Sequence, residues 1–249
     1  MLVGITIELT HRLASALVTV TGELDLSGYA FLRDGLLKVA ADTPPCLIAD
    51  INGLVLSEYS PTTVFPLVAR RIGDWPGIPF LLVSHESVQV RALHEHGVDR
   101  FVPVHPDVEA AERQPVPIRQ FAQQVLSRSD DAPALARAFV RERVERWGLP
   151  TLVYDGTLVA TELVTNVIQH TRSCPTLHLE LCRGMVTVAV SDDSPRPAVL
   201  LERTGRQPGL GLRIVADAAR VWGSSPRWSG GKIVWAVLTT GRHRDPVEG

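Results

Sequence analysis

Two short apolar runs, "CLIADI" at 46–51 and "IPFLLVS" at 78–84, constrain the fold more than any other feature. Each is nearly unbroken, too short for a buried helix, and without the alternation of a half-solvated strand. Each therefore predicts a strand covered on both faces. Residues 4–9 and 15–21 alternate apolar with polar and predict two strands ahead of them, ended by the loop "GELDLSG". Ser27 is placed to cap a helix running to Ala40, with Phe31, Leu32, Leu36 and Val39 as its buried stripe. Further helices are expected from Pro61 to Ile72 and over "ESVQVRALHEHG", closed by Gly97, with a last strand at "FVPVHP". The order β-β-α-β-α-β-α over residues 1–112 describes an α/β (α+β) layer around one sheet.

The stretch "ERQPVPIRQ" breaks that pattern with two prolines, and residues 113–120 are read as a linker. A second domain follows over 121–241, with a tail at 242–249. It opens with a helix over "SDDAPALARAFVRERVERWG" that carries Ala136, Phe139, Val140 and Val144 on one side. In the next helix, "ATELVTNVIQHT", Glu162, Asn166 and His170 recur every four residues and share one stripe roughly 80° wide. Leu163, Val164, Val167 and Ile168 lie opposite. The polar stripe either meets water or lines a site. "LHLELC" and "VTVAVS" alternate with period two and predict a hairpin turning at Arg183-Gly184, followed by a helix from Leu212 to Trp222 and a closing strand "KIVWAVL".

Composition limits the function classes. A net charge of −2 gives no bulk attraction to nucleic acid or anionic lipid. The three cysteines, Cys46, Cys174 and Cys182, are an odd number without C-x-x-C spacing, which suits a reducing cytoplasm better than a disulfide framework or metal site. No stretch of about 20 uninterrupted apolar residues offers a membrane span, and "MLVGITIELTH" lacks the basic lead and apolar run of a signal peptide. The expectation is a cytoplasmic protein with no membrane or direct nucleic-acid partner.

Three further features accompany the Glu-Asn stripe. "VAVSDDSPRP" ends a strand on acidic residues, where Asp192 could accept a hydrogen bond from a ligand amine or simply begin a turn. "PGLGLRIV" sets Gly209 and Gly211 before a helix, either to bring backbone N–H groups to an anion or as a plain turn. "SGGKIVW" is a Gly-Gly turn in which Lys232 is expected to be solvated. Taken in order, these motifs resemble the GHKL (HATPase_c) ATPase family over residues 121–240, and within it the small serine-kinase anti-sigma factors of bacterial partner-switching systems. "ELVTNVIQH" is similar to their N-box, "VSDDSPRP" to their adenine-binding box and "PGLGLRIV" to their phosphate-binding box.

The resemblance implies a Bergerat-type α/β sandwich, with helices over one face of a mixed sheet and ATP between helix and sheet. Glu162 would polarise the attacking hydroxyl, and Asn166 would ligate Mg2+. Asp192, followed by Ser194, would bind the adenine amine. Gly209, Leu210, Gly211 and Leu212 would cradle phosphates, with residues 197–208 as a lid. Ser194 departs from the wider family's glycine. No histidine sits in the helix that marks sensor histidine kinases, so a Ser or Thr hydroxyl is the expected acceptor.

The first half, through "VTGELDLSG", "CLIADINGLVLSEYSPTTVF", "LLVS" and "HGVDRFVPV", resembles a STAS domain, the fold of anti-sigma factor antagonists. Aligning Asp50 and Gly53 with that family places Ser60 at its phosphorylated serine. Glu58 takes the acidic place, Tyr59 replaces a serine and Pro61 replaces a glycine. Ser57, Thr62 and Thr63 are secondary acceptors, and Asp25 is expected beside the same loop. Ser60 before Pro61 also reads as a helix cap. Together the resemblances imply a kinase module acting on a STAS antagonist, its own or a separate one, with a sigma factor or other regulator as partner and a possible homodimer. The alternative is an ATP-binding sequestration module without catalysis.

Overall fold

The computed structural model describes residues 4–57, 60–198 and 210–240. The chain divides into two compact units, the first comprising Met1–Pro117 with Arg227–Ser229 and the second Ile118–Pro226 with Gly230–Gly249.

In the first unit five strands line up in chain order: β1 (Thr6–His11), β2 (Ala16–Glu23), β3 (Leu47–Val55), β4 (Phe80–Val83) and β5 (Val104–His105). β1 and β2 pair antiparallel and the remaining pairs are parallel, so each later strand is reached by a crossover helix. These helices are α1 (Leu26–Ala40), α2 (Val64–Asp74) and α3 (Ser87–Glu95). Successive residues of the two apolar runs serve opposite faces. Leu47, Ala49, Ile51, Phe80 and Leu82 join the core that contains Leu32, Leu36, Phe65 and Val68. Cys46, Ile48, Leu81 and Val83 pack instead with Ala111 of α4 (Val108–Glu112). Coverage of both faces is why neither run alternates.

Several boundaries differ from the sequence expectation. Asp25, not Ser27, caps α1: its carboxylate accepts the Gly28 N–H at 2.7 Å and the Ser27 hydroxyl at 2.7 Å. Both bonds hold the Asp25 carboxyl below the usual carboxylate range. Phe31 is 56% exposed. The buried stripe runs instead through Leu32, Gly35, Leu36, Val39 and Ala40, because Gly35 lets the Ile7 side chain close onto the helix. α2 begins at Val64 rather than Pro61, after a turn, with Thr63 at its N-cap.

The second unit is a five-stranded sheet in the order β6-β7-β8-β10-β9. Its strands are β6 (Arg119–Val125), β7 (Thr176–Cys182), β8 (Met185–Asp192), β9 (Val221–Pro226) and β10 (Lys232–Leu238). Every pairing is antiparallel, whereas the resemblance implied a mixed sheet. The β7–β8 turn has positive φ at both Arg183 (51°) and Gly184 (75°), the twist that a two-residue hairpin needs. Helices α5 (Ala132–Arg146), α6 (Val153–His170) and α7 (Leu210–Ala218) share one core with the sheet: Val140 and Val144, Leu163 and Val167, and Val215 meet Leu177, Val188, Val190, Val234 and Ala236. Arg119 and Gln120, read as linker, begin β6. The helix expected to reach Trp222 ends at Ala218, and Trp222 lies in β9. Among the described residues no helix is long and apolar enough to cross a membrane.

Phe65 is fully buried at the centre of the first core. Phe65→Ala should therefore cost about 3–5 kcal/mol, read as a lowered urea midpoint with the m-value unchanged.

Candidate functional site

The polar stripe of α6 divides cleanly from its apolar side. Leu163, Val164 and Val167 are buried, whereas Glu162 and Asn166 are half-buried and His170 is exposed. At one end the stripe meets the start of α7. A Cβ placed on Gly211 would lie 2.8 Å from Glu162 Oε2, so the absent side chain is what lets the carboxylate rest against the first turn of that helix. Leu210 opens α7, the Leu212 side chain packs against the core, and Gly209 lies outside the described residues, as does most of the expected lid. At the other end His170 lines an open depression of about 530 Å3, with Arg128, Arg172, Ser173, Asp193, Ser194 and Arg196 also on its wall. That volume lies within the range of small-molecule sites.

β8 carries Asp192 to the edge of this region. The residue is 5% exposed. Its Oδ1 accepts the Ser194 N–H at 2.7 Å, which turns the chain, and an ammonium proton of Lys232 at 2.8 Å. Its Oδ2 is buried without a hydrogen-bond partner among the described residues. The turn-forming and ligand-accepting readings of Asp192 are therefore compatible, because they use different oxygens. Ser173 fixes the next residue by accepting the Asp193 N–H at 3.0 Å. The Ser194 hydroxyl accepts a long bond, 3.4 Å, from the Arg196 N–H.

Lys232 corrects the sequence expectation. It is not solvated but 5% exposed, and it stands directly opposite Asp192 in the β8–β10 register. The preceding Gly231 has φ +68°, and a Cβ there would lie 2.8 Å from Asp193 Cα and collide with the Asp192 carbonyl. Glycine is thus required for β10 to enter close beside β8. Ser173 and the three arginines on the wall carried no motif that would have marked them.

In the first unit the structure separates the candidate hydroxyls. Ser60 is 7% exposed, and its Oγ accepts the Ser57 N–H at 2.8 Å. Thr62 is also buried, with its hydroxyl 3.0 Å from His96 Nδ1. Ser57 and Thr63 are exposed, while Glu58 and Tyr59 lie outside the described residues. Asp25 sits near the exit of β3, where the Leu24 N–H donates to the Val55 carbonyl at 3.1 Å.

No family model matches the chain. It is 26% identical over 97 residues to the anti-sigma-F factor antagonist RsfB of Mycobacterium tuberculosis, a match spanning 39% of this chain and 78% of that protein. Among solved structures it is similar to an anti-sigma factor antagonist from Mycobacterium paratuberculosis: 23% identity, 43% of this chain, 91% of that chain, TM-score 0.39. It is also similar to RsbS from Moorella thermoacetica: 22% identity, 42% of this chain, 89% of that chain, TM-score 0.35. The chain is a mixed α/β protein, and its N-terminal unit is the part similar in sequence to the anti-sigma-F factor antagonist RsfB.

Asp192→Asn should leave the Lys232 ammonium buried without its counter-charge and destabilise the protein by about 3–5 kcal/mol. Lys232→Met added to Asp192→Asn should recover most of that loss, and a urea-unfolding double-mutant cycle measures the coupling.

Proposed function

We propose that the chain is a regulator of partner-switching type, in which an antagonist-like STAS unit is joined to an ATP-binding serine/threonine kinase unit that controls a transcription-factor partner such as a sigma factor. The observation that carries the nucleotide reading is Asp192 Oδ2, buried and without a hydrogen-bond partner among the described residues, on the residue that precedes Asp193 and Ser194 of the depression wall. Leaving a carboxylate oxygen buried and unsatisfied is costly unless a ligand donor completes it, and the exocyclic amine of adenine is such a donor. The Glu162 carboxylate against Gly211 at the start of α7 fits the other end of the same ligand. Backbone N–H groups there favour phosphate, and no Cβ intrudes.

In this reading ATP with Mg2+ supplies the transferable phosphoryl group when bound. Asn166, one turn along from Glu162, would hold the cation through its side-chain oxygen. Glu162 would accept the proton of the attacking hydroxyl, and its half-burial keeps it close to the chemistry without removing it from reach. Asp192 and the turn at Ser194 would fix the base.

The acceptor would be a Ser or Thr of a STAS domain. Within this chain Thr63 is better placed than Ser60. It is exposed, it occupies the N-cap of α2, and its side chain makes no capping bond. A phosphate there would stand at the N-terminal, positive end of the helix dipole. Ser60 lies ahead of that turn with its hydroxyl already engaged. The competing reading, sequestration of a partner by an ATP-bound form without catalysis, differs in one respect: it does not require Glu162.

Incubation of the full chain with γ-labelled ATP and Mg2+, alone and with a separate STAS protein, tests both. Glu162→Gln should abolish labelling, by at least about 100-fold given the usual contribution of a general base, while nucleotide binding persists. Where the chain labels itself, Thr63→Ala should remove the label and Ser60→Ala should not. Labelling that survives Glu162→Gln would refute Glu162 as the base. Nucleotide binding with no phosphoryl transfer to any STAS protein would favour sequestration.

A further inference from the structure

Lys232 has no part in that reading, yet it is the more unusual half of its pair. It is one of only two lysines in the chain, and it is buried. An ammonium carries three protons to donate. Among the described residues, Lys232 makes one side-chain hydrogen bond, to Asp192 Oδ1. A cross-strand ion pair that served only the sheet would leave neither partner wanting. Here a free acceptor, Asp192 Oδ2, belongs to the same pair as uncommitted ammonium protons, and both residues are about 5% exposed. The pair is short of one donor and one acceptor, and a ligand edge that presents an adjacent donor and acceptor would complete it.

We propose that the Asp192–Lys232 pair reads the hydrogen-bonding edge of a purine, and that Lys232 makes the site accept a 6-oxopurine such as guanine alongside adenine. The inference rests on the nucleotide reading above and adds the base specificity. At the relevant edge adenine offers an N6–H donor beside the N1 acceptor, and guanine offers an N1–H donor beside the O6 acceptor. Asp192 Oδ2 takes the proton of either base. The acceptor distinguishes them, because a compact ammonium is a stronger partner for the carbonyl oxygen O6 than for a ring nitrogen. With an apolar residue at 232 nothing would compensate O6 for its lost water, and guanine would be disfavoured.

The test is equilibrium binding to the full chain, reading displacement of a fluorescent ATP analogue by ATP, GTP and inosine triphosphate, which shares O6 and N1–H with GTP but lacks its 2-amino group. GTP and inosine triphosphate should compete within about tenfold of ATP. In Lys232→Met the GTP-to-ATP affinity ratio should fall at least about tenfold, the scale of one lost charge-assisted bond, and in Lys232→Gln, whose neutral amide still donates, it should fall by less. Circular dichroism establishes that each variant is folded, and if neither folds the three-nucleotide comparison on the unaltered chain decides. If ATP binds while GTP and inosine triphosphate do not compete, the inference is overturned and the nucleotide reading stands. If no nucleotide binds, both fall. A ratio unchanged in folded Lys232 variants would make the residue structural only and would also overturn the inference.

Discussion

The end of the second sheet depends on a charge pair that the strand register enforces. Asp192 is the last residue of β8 and Lys232 the first of β10, and the two are directly opposed. Removing either charge from water costs several kcal/mol, and their mutual attraction offsets this only where the geometry is tight. The 2.8 Å contact meets that condition. So does the backbone beneath it, since Gly231 at φ +68° brings β10 in where any side chain would strike the Asp192 carbonyl. The same carboxylate oxygen also accepts the Ser194 N–H, so one atom closes the strand pair and starts the turn that leaves it. Among the described residues, one carboxylate oxygen and part of the ammonium remain open on the pair. That leftover is what distinguishes a site from a clamp.

Helix α6 connects this corner to the start of α7. Its apolar side is committed to the core through Leu163, Val164 and Val167, and α5 approaches closely at Gly156, where a Cβ would lie 3.0 Å from Val140. With the core-facing side and the α5 contact set by packing, the polar stripe cannot rotate away. Among the described residues Glu162 has no side-chain hydrogen bond, and the burial of its neighbours is what holds it against Gly211. Rigid packing of one face supplies the position of the other, and Asn166 inherits its place from the same constraint.

The parts of this fold legible in the sequence are those in which one residue type has one environment. The two unbroken apolar runs required cover on both faces, and the core of α1, α2 and α3 on one side with α4 on the other supplies it. Arg183-Gly184 could hardly be anything but a tight hairpin. Elements with weak patterns were lost. β6 is an edge strand of mixed exposure, in which Phe121 and Val125 face out, so its alternation resembles a linker. β9 holds Gly, Ser and Pro, and it is a strand because the Trp235 indole lies over Gly223 and donates to Ser225 Oγ at 3.1 Å. The stripe on α6 and the place of Asp192 at a strand end follow from periodicity. The environment of Lys232 does not. An isolated lysine in a Gly-Gly turn is ordinarily solvated, and only the register, which pairs residues forty positions apart, reveals a buried partner.

The same distinction governs the hydroxyls of the first unit. Alignment by motif selects Ser60, but a phosphoacceptor must be reached by a bulky donor and must tolerate a product carrying nearly two negative charges. Ser60 meets neither requirement in this conformation. Its hydroxyl is buried and engaged with the Ser57 N–H, and the turn at Pro61–Thr63 separates it from the helix whose N-terminus would favour the charge. Thr63, by contrast, is exposed and stands at the N-cap of an eleven-residue helix without a side-chain capping bond.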